Sequence, residues 1–416
     1  MARNLRNTKP NFYYLKKIAA IVKMYSKSKI TTILFFVSSF PFLFLNAQSP
    51  PVTSISFIQV TGGVIIMQAK LQSHPDTLQF IFDTGSSGIS LDSTTVSFLA
   101  LEKENNGQLI KGIAGVREVP TIKNKSLVIG QHVTPPMDFY VNDYSVLTSI
   151  YGVRIDGVIG YALLSRYIVC VDYEKQIMDW FLPGIFTYPR KGVILKPYLN
   201  RLPAHSFMMR DLHKQSVSLL VDIGAGLNLL FSKRFAKESG VLDSTRKKWM
   251  ISGEGIGGQI TLQLTILPFF QVGPYTFKKI PITIFEDPFN VTNYPHWGGL
   301  IGNDLLRRFN LVINYPQGEI HLKPNRFFAE SFDYSYSGME LYLIGGAVKV
   351  GFVAPNSPAS QAGIEVGDEI IAINKIINGT LDAYKSELVH ASRKLSLIYK
   401  REEKLTEVSL KLVRIK

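Results

Sequence analysis

The sequence has 416 residues, a length typical of two or three domains. Apolar residues make up 46% of the chain and charged residues 19%, which favours a large folded core and excludes a disordered protein. The net charge is +14, but residues 1–29 hold eight basic side chains and no acidic one, which leaves only +6 for the rest. A nucleic-acid partner is therefore not expected. A single cysteine excludes a disulfide framework and any zinc site built from several cysteines.

The amino terminus has the layout of a secretory signal peptide. An apolar run from Ile30 to Leu45 follows the basic segment, and the small residue Ala47 comes two positions later. This run is shorter than the roughly 20 residues that a membrane-spanning helix needs. We therefore predict that residues 1–47 are a signal peptide, that Met24 is the true start, and that the rest is exported to a periplasm, a cell envelope or the medium. An uncleaved membrane anchor is the alternative.

A duplication organises the body of the chain. Phe82-Asp83-Thr84-Gly85 is echoed by Val221-Asp222-Ile223-Gly224, and the stretch 158–167 is repeated without a gap at 300–309. Between these features each copy holds a Gly-rich tetrapeptide, at 112–115 and at 255–258. The distance from the aspartate to the later Gly is 77 residues in the first copy and 80 in the second. Three features in the same order at similar spacing predict two lobes of one ancestral unit.

Local patterning predicts that both lobes are mainly β. Short apolar runs, such as 126–129, 168–171 and 260–264, are bounded by Gly, Pro, Asn or Lys. Prolines between 183 and 197 mark the joint between the lobes, and 324–338 has the composition of a linker. The predicted organisation is lobe one at 48–184, lobe two at 185–325, a linker at 326–337 and a further module at 338–416.

The two repeated aspartates are the candidate catalytic residues. Asp83 and Asp222 each follow an apolar strand, where a carboxylate is costly to bury unless it is paired, hydrogen-bonded or protonated. A pseudo-twofold axis between the lobes would bring them face to face, and two carboxyls that share a site hold one proton between them. One can then act as a base toward water while the other protonates a carbonyl or a leaving nitrogen. Gly85 and Gly224 fit this arrangement, because close approach of backbone to carboxylate leaves no room for a Cβ.

The segment 83–87, followed by Val158-Ile159-Gly160 and repeated once, resembles the pepsin and retropepsin superfamily. The resemblance covers about residues 52–325 and is closest to single-chain bacterial retropepsin-like proteases. It implies a bilobal, duplicated β fold and an aspartic endopeptidase that acts on extended polypeptides without a cofactor or a metal. The residues that it implies as support for the dyad are Thr84, Gly85, Ser86, Gly224 and Ala225. The implied flap tips, which would close over a substrate, are Gly112, Ile113, Ala114 and Gly115 in lobe one and Gly255, Ile256, Gly257 and Gly258 in lobe two.

One departure from the superfamily pattern supports a competing hypothesis. Members usually keep Thr after both aspartates, where its hydroxyl bonds the opposite lobe. Thr84 keeps this hydroxyl, but its counterpart Ile223 cannot make the bond. The paired aspartates favour an enzyme, whereas Ile223 favours a catalytically inactive peptide-binding or scaffold protein of the cell envelope.

Ser86 predicts which aspartate acts as the base. It stands three residues after Asp83, and its hydroxyl is expected to donate to that carboxylate, whereas Ala225 offers Asp222 no such donor. Hydrogen bonding to the charged form favours ionisation. The shared proton is therefore expected mostly on Asp222, with Asp83 as the base, and Ser86→Ala is expected to move the acidic limb of the pH–rate profile upward.

The carboxyl-terminal 338–416 resembles a PDZ domain. Ser357-Pro358-Ala359, Ala362-Gly363, Gly367-Asp368-x-Ile370 and Ile373-Asn374 stand at that family's spacings. The resemblance implies a small α+β fold that binds a peptide or a chain end by pairing with a sheet edge; Gly345-Gly346 is the candidate for its carboxylate-binding loop. The alternative is a module that only packs on the protease lobes.

Other patterns are weaker. Cys170 lies in an apolar run and is expected to be a buried core thiol rather than a nucleophile. The seven His residues show no ligand spacing, so no metal is implied. The glycines at 253–258 lack the following Gly-Lys-Ser/Thr of a phosphate loop. No pattern indicates an oligomeric state.

Overall fold

The computed structural model describes residues 48–113, 115–255, 258–292, 294–332, 335–389 and 394–415, and Ser49–Lys416 form one compact unit. The predicted signal peptide at 1–47 lies outside the described residues, as do Ala114, Ile256 and Gly257. None of the helices within the described ranges combines the length and the hydropathy of a bilayer-spanning segment.

The first part of the unit, up to residue 184, is built of short strands. These are β1 (Thr53–Gln59), β2 (Ile65–Leu71), β3 (Leu78–Phe82), β4 (Ile89–Asp92), β5 (Glu104–Gly112), β6 (Gly115–Lys125), β7 (Leu127–Ile129), β8 (His132–Val133), β9 (Met137–Asn142), β10 (Gly157–Ile159), β11 (Ile168–Asp172) and β12 (Ile177–Phe181). The helices there are α1 (Ser93–Phe98), α2 (Ser145–Tyr151) and α3 (Tyr161–Leu164), with a 3-10 turn at Thr61–Gly63.

The second part has the same kind of elements. Its strands are β13 (Val193–Leu195), β14 (Tyr198–Asn200), β15 (Leu202–Arg210), β16 (Lys214–Val221), β17 (Leu229–Ser232), β18 (Trp249–Gly255), β19 (Gly258–Val272), β20 (Tyr275–Phe285), β21 (Gly299–Ile301), β22 (Phe309–Asn314) and β23 (Glu319–Pro324). The helices are α4 (Lys233–Glu238) and α5 (Asn303–Leu306), and 3-10 turns lie at Tyr315–Gln317 and Arg326–Ala329.

The carboxyl-terminal part forms a sheet of its own. Its strands are β24 (Ser335–Tyr336), β25 (Met339–Ile344), β26 (Ala347–Val353), β27 (Glu369–Ile373), β28 (Ile376–Ile377), β29 (Lys394–Arg401), β30 (Lys404–Lys411) and β31 (Val413–Arg414), and its helices are α6 (Pro358–Gln361) and α7 (Leu381–Val389). The sheet order is β25-β26-β27-β29-β30, and a separate apolar core that includes Leu341, Ile373, Tyr384 and Leu397 fills it. The expectation of a mainly β chain is thus confirmed.

The order of strands repeats between the first two parts. The first reads β2-β3-β10-β4-β9-β6-β5, and the second reads β15-β16-β21-β17-β20-β19-β18. In each, a central strand runs parallel to the strand that ends just before the aspartate, with Val158 opposite Ile81 and Leu300 opposite Leu220. The repeated apolar-apolar-Gly segments therefore occupy the same place in both halves.

A sheet shared by both halves locates the pseudo-twofold axis. Strands β11 and β22 are antiparallel neighbours, with Cys170 opposite Val312 and Val169 opposite Ile313. In the sequence repeat, position 170 corresponds to position 312, so each strand faces its own copy across this pair. One apolar core draws side chains from both halves, among them Phe82, Trp180 and Phe231. Burying one large apolar side chain of this kind stabilises the folded state by about 1.5–3 kcal/mol. The shared core therefore ties the two halves into one folding unit.

Candidate active site

The two aspartates occupy equivalent turns. The apolar strands β3 and β16 end just before Asp83 and Asp222, and each aspartate donates its backbone N–H over 2.9 Å to the carbonyl of the neighbouring central strand, at Ile159 and Ile301. The two carboxyl groups lie within hydrogen-bonding distance of each other. The duplication therefore places both candidate catalytic residues at one point between the halves.

The glycines after the aspartates make this approach sterically allowed. A Cβ on Gly85 would lie 2.4 Å from the Cγ of Asp222, and a Cβ on Gly224 would lie 2.3 Å from the Cγ of Asp83. Real Cβ atoms do not come so close to another heavy atom, so neither position accepts a side chain without moving the opposite carboxyl. Each glycine thus serves the aspartate of the other half.

Backbone N–H groups bind both carboxylates. Gly85 donates to Asp83 Oδ1 over 2.6 Å, and the Ser86 N–H also donates to Asp83. Ala225 donates to Asp222 Oδ1 over 3.1 Å, with a further backbone bond from Gly224. These donors fix the plane of each carboxyl before any substrate is bound.

Both aspartates have raised pKa values, and the two are not equal. Burial raises the pKa of Asp83, while hydrogen bonds from Asp222 and from the Gly85 and Ser86 backbone oppose this rise. Burial also raises the pKa of Asp222, which goes well above its ordinary value because the negative charge of Asp83 adds to the effect. The pair therefore holds one proton, mainly on Asp222, while Asp83 is ionised.

The proton lies mainly on Asp222, as Ser86 led us to expect, but the group of Ser86 that donates to Asp83 is a different one. What Ser86 contributes to Asp83 is its backbone N–H, and its hydroxyl makes no hydrogen bond with that carboxylate in the described part of the chain. Alanine keeps a backbone N–H, so the predicted effect of Ser86→Ala loses its physical basis.

Thr84 links the two halves beneath the dyad. Its hydroxyl, fully buried, donates to the Val221 carbonyl over 2.7 Å and accepts from the Ile223 N–H over 3.0 Å. Ile223 itself is 1% exposed and packs in the shared apolar core. The crossing bonds that the sequence led us to expect from Thr84 are present, and at the equivalent position of the other half a packed isoleucine replaces them.

Two hairpins carry the candidate flap tips. The first hairpin (β5–β6) turns between Gly112 and Gly115, which face each other, and the second hairpin (β18–β19) turns between Gly255 and Gly258. A Cβ on Gly255 would lie 2.4 Å from the side chain of Ile113, so the hairpins touch at their ends. Ile113 also packs against the apolar cluster of the second half that contains Leu220 and Leu300.

Three tyrosines near the dyad carry no motif and were missed by sequence reasoning. The charges of Asp83 and Asp222 add to burial in raising the pKa of Tyr151 and Tyr315, and Asp83 contributes in the same way at Tyr144, whose pKa rises to about 12. Tyr315 was visible only as the copy of Tyr173 in the repeat. Within the described residues, no cluster of His, Cys, Asp and Glu could hold a metal ion.

The link through Thr84 gives a stability prediction. Thr84→Val leaves a buried carbonyl and a buried N–H without partners, so we expect the free energy of unfolding to fall by about 2–4 kcal/mol. Thr84→Ser keeps the hydroxyl and is expected to cost only about 1 kcal/mol for the lost methyl group. Denaturant unfolding of the three proteins measures both values. Equal losses in the two variants would show that the hydroxyl is not the link.

The raised pKa of Asp222 predicts a stability difference that depends on pH. In the unfolded chain this carboxyl ionises near pH 4, whereas in the folded protein it keeps its proton to a higher pH, so its contribution to stability is lost as the pH rises. Asp222→Asn removes that loss. We therefore expect the Tm of Asp222→Asn minus that of the wild type to increase as the pH rises above about 4. Titrating groups other than Asp83, which shares the proton with Asp222, cancel in this difference, and a constant difference would contradict the protonated Asp222.

Comparison with known proteins agrees with part of this geometry. Residues 67–163 match the family model described as aspartyl protease. The match includes Asp83, the first hairpin and Gly160, and ends before Asp222. No curated protein matches the chain. The first half of the site is therefore similar to aspartyl proteases in sequence.

Proposed function

We propose that this chain is an aspartic endopeptidase that hydrolyses peptide bonds with a water activated between Asp83 and Asp222. The observation that carries the proposal is the crossed packing of Gly85 and Gly224, which brings the two carboxyls together and leaves them one proton. The similarity of residues 67–163 to aspartyl proteases supports the same chemistry.

The unequal pKa values assign the two roles. Ionised Asp83 takes a proton from the water as the water oxygen attacks the peptide carbonyl carbon. At the same time protonated Asp222 gives its proton to the carbonyl oxygen. The tetrahedral intermediate then collapses as the C–N bond breaks and the leaving nitrogen takes the proton that Asp83 accepted. Asp222 recovers its proton from the hydroxyl of the intermediate, so the pair returns to its starting state.

The substrate is proposed to be an extended polypeptide. The touching hairpins would cover a chain lying across the dyad and exclude water from it. The partly buried side chains that pack on the apolar cluster beside Ile113, among them Leu227, Val291 and Trp297, offer apolar side chains of a substrate a surface on the second half. Export to a periplasm, cell envelope or medium is also proposed, on the layout of residues 1–47.

The carboxyl-terminal part is proposed to be a PDZ-like module, on the motifs of 357–374. Its strand β25 is an edge strand of the sheet, yet α2 of the first half packs against it. Lys385 of α7 also donates to the Ile150 carbonyl at the end of α2, over 2.6 Å. These contacts favour the packing role over the capture of a separate peptide at this edge.

The proposed activity is tested with purified residues 48–416 and a denatured protein mixture between about pH 3 and 8. We expect cleavage that a statine-type peptide inhibitor blocks, and a loss of at least about 10³-fold in Asp83→Asn and in Asp222→Asn. Asp138→Asn, at an exposed carboxylate on β9, is the matched control and should leave activity unchanged. A wild-type protein that folds and cleaves nothing across this range would favour the inactive peptide-binding alternative.

The pH dependence has a predicted position. Activity requires one proton on the pair, so it is lost below the lower apparent pKa and above the upper one. Because both pKa values are raised, we expect the whole bell-shaped profile to lie at higher pH than two ordinary carboxyls would give. An acidic limb below about pH 3 would contradict the raised values.

Ser86→Ala separates the hydroxyl from the backbone as the donor to Asp83. Since alanine retains the N–H that binds the carboxylate, we expect the acidic limb to move by less than about 0.5 pH unit. The comparison is the wild-type profile measured with the same substrate. A clear upward shift would restore the role of the hydroxyl that the sequence suggested.

A further inference from the structure

The second hairpin has one face on the cleft and the other on the carboxyl-terminal sheet. The polar side chains of this other face are Ser252, Glu254 and Gln259, and they surround the hydroxyl of Tyr342 on β25. Tyr342 donates to the Glu254 carboxylate, and Gln259 Nε2 donates to the Tyr342 oxygen over 3.1 Å. Bonds from Ser252 and Gln259 to the same Glu254 oxygen, at 3.0 and 3.2 Å, close the network.

The base of the same hairpin is also held. Tyr336 donates its hydroxyl to the Met250 carbonyl over 2.9 Å. An apolar cluster joins Trp249 and Leu264 of the hairpin to Ala354 and Ile415 of the carboxyl-terminal part. The hairpin is therefore fixed by side chains at its base and by the Tyr342 network near its tip.

The carboxyl-terminal part also reaches the first half beside the dyad. Besides the bond from Lys385 to Ile150, Leu381 packs on Gly152, where an added Cβ would lie only 3.1 Å away. These contacts hold the end of α2, whose last residue is Tyr151. The charges of both aspartates and of Glu254 add to burial in raising the pKa of Tyr151. One module thus contacts both walls of the cleft.

The first hairpin is in a different situation. Its strand β5, like β18, is the last strand of its sheet, but most of its described side chains are exposed. Leu109 is 71% and Val116 46% exposed, whereas Trp249 at the corresponding hairpin is 8% exposed. An exposed sheet edge with few buried side chains opens at low free-energy cost, and a covered one does not.

We propose that Tyr342 is a positioning residue that holds the second hairpin as a fixed wall, so that the first hairpin is the flap that opens for substrate. This inference rests on the proposed peptidase function for its kinetic consequence, but not for its structural one. The duplicated hairpins would then have separate tasks, set by a module that contacts only one of them through the Tyr342 network. Tyr342 would act on cleavage through Glu254 and the hairpin, without touching the substrate.

The experiment compares Tyr342→Phe with Tyr399→Phe in residues 48–416. Both remove one hydroxyl from the same module, and Tyr399 lies in its core, away from the hairpin. In Tyr342→Phe we expect amide exchange in 249–255 and 258–264 to be about tenfold faster, and KM for a long peptide to rise about fivefold with kcat nearly unchanged. Tyr399→Phe should change neither. The separate variant Glu254→Gln keeps an acceptor oxygen for the Tyr342 hydroxyl and should therefore retain most of the wild-type exchange rate and KM.

Amide exchange in the wild-type protein provides a second test of the inference, which needs neither a variant nor peptidase activity. We expect 104–112 to exchange faster than 249–255; equal rates, or the reverse order, would overturn the inference. Unchanged exchange and KM in Tyr342→Phe, in a protein that cleaves peptides, would also overturn it. Absence of cleavage together with the expected exchange pattern would instead reject the proposed function and leave the positioning role standing.

Discussion

The close approach of Asp83 to Asp222 is the constraint on which the rest of the structure depends. Two carboxyls can meet in a partly buried place only if nothing separates them and if they share a proton. The first condition is met by the glycines of the two halves, each packed against the other half's aspartate. The second is met through burial and through the charge of one carboxyl on the other. Each carboxyl accepts two backbone N–H bonds, and the charge of ionised Asp83 keeps the proton on Asp222.

Duplication supplies the symmetry of the site, and later substitutions have removed part of it. Thr84 bonds across the axis, whereas Ile223 fills the same place with apolar packing. A similar difference separates Tyr173, whose hydroxyl donates to Asn303 over 2.6 Å, from its copy Tyr315. The ring of Tyr315 meets Tyr161 instead, and its buried hydroxyl has no hydrogen-bond partner in the described part of the chain. The surroundings of the two aspartates therefore differ, as their pKa values do.

Repeated features and locally patterned ones were predictable from the sequence. Two mainly β halves were expected from local patterning, the equivalent places of the aspartates from the repeat, and the Gly-rich flap tips from the resemblance to retropepsins. The donor from Ser86 was not predicted correctly, because the dihedral angles of the turn decide whether the hydroxyl or the N–H reaches the carboxylate. Tyr151 lies in a short helix without a motif. The pair of Glu254 and Tyr342 is 88 residues apart, and a contact at that separation leaves no pattern in one sequence.

The carboxyl-terminal part explains how equivalent hairpins can come to differ without large changes in either. Each is the edge of its sheet, and an exposed edge is free to move and to pair with another chain. A second sheet that covers one edge removes that freedom. The covered Glu254 still has a hydrogen-bond partner, because Tyr342 donates to it in place of water. The other edge stays open, as a cleft that must admit an extended chain requires. Asymmetry between the halves therefore arises from a neighbour packed on one of them as much as from their own sequences.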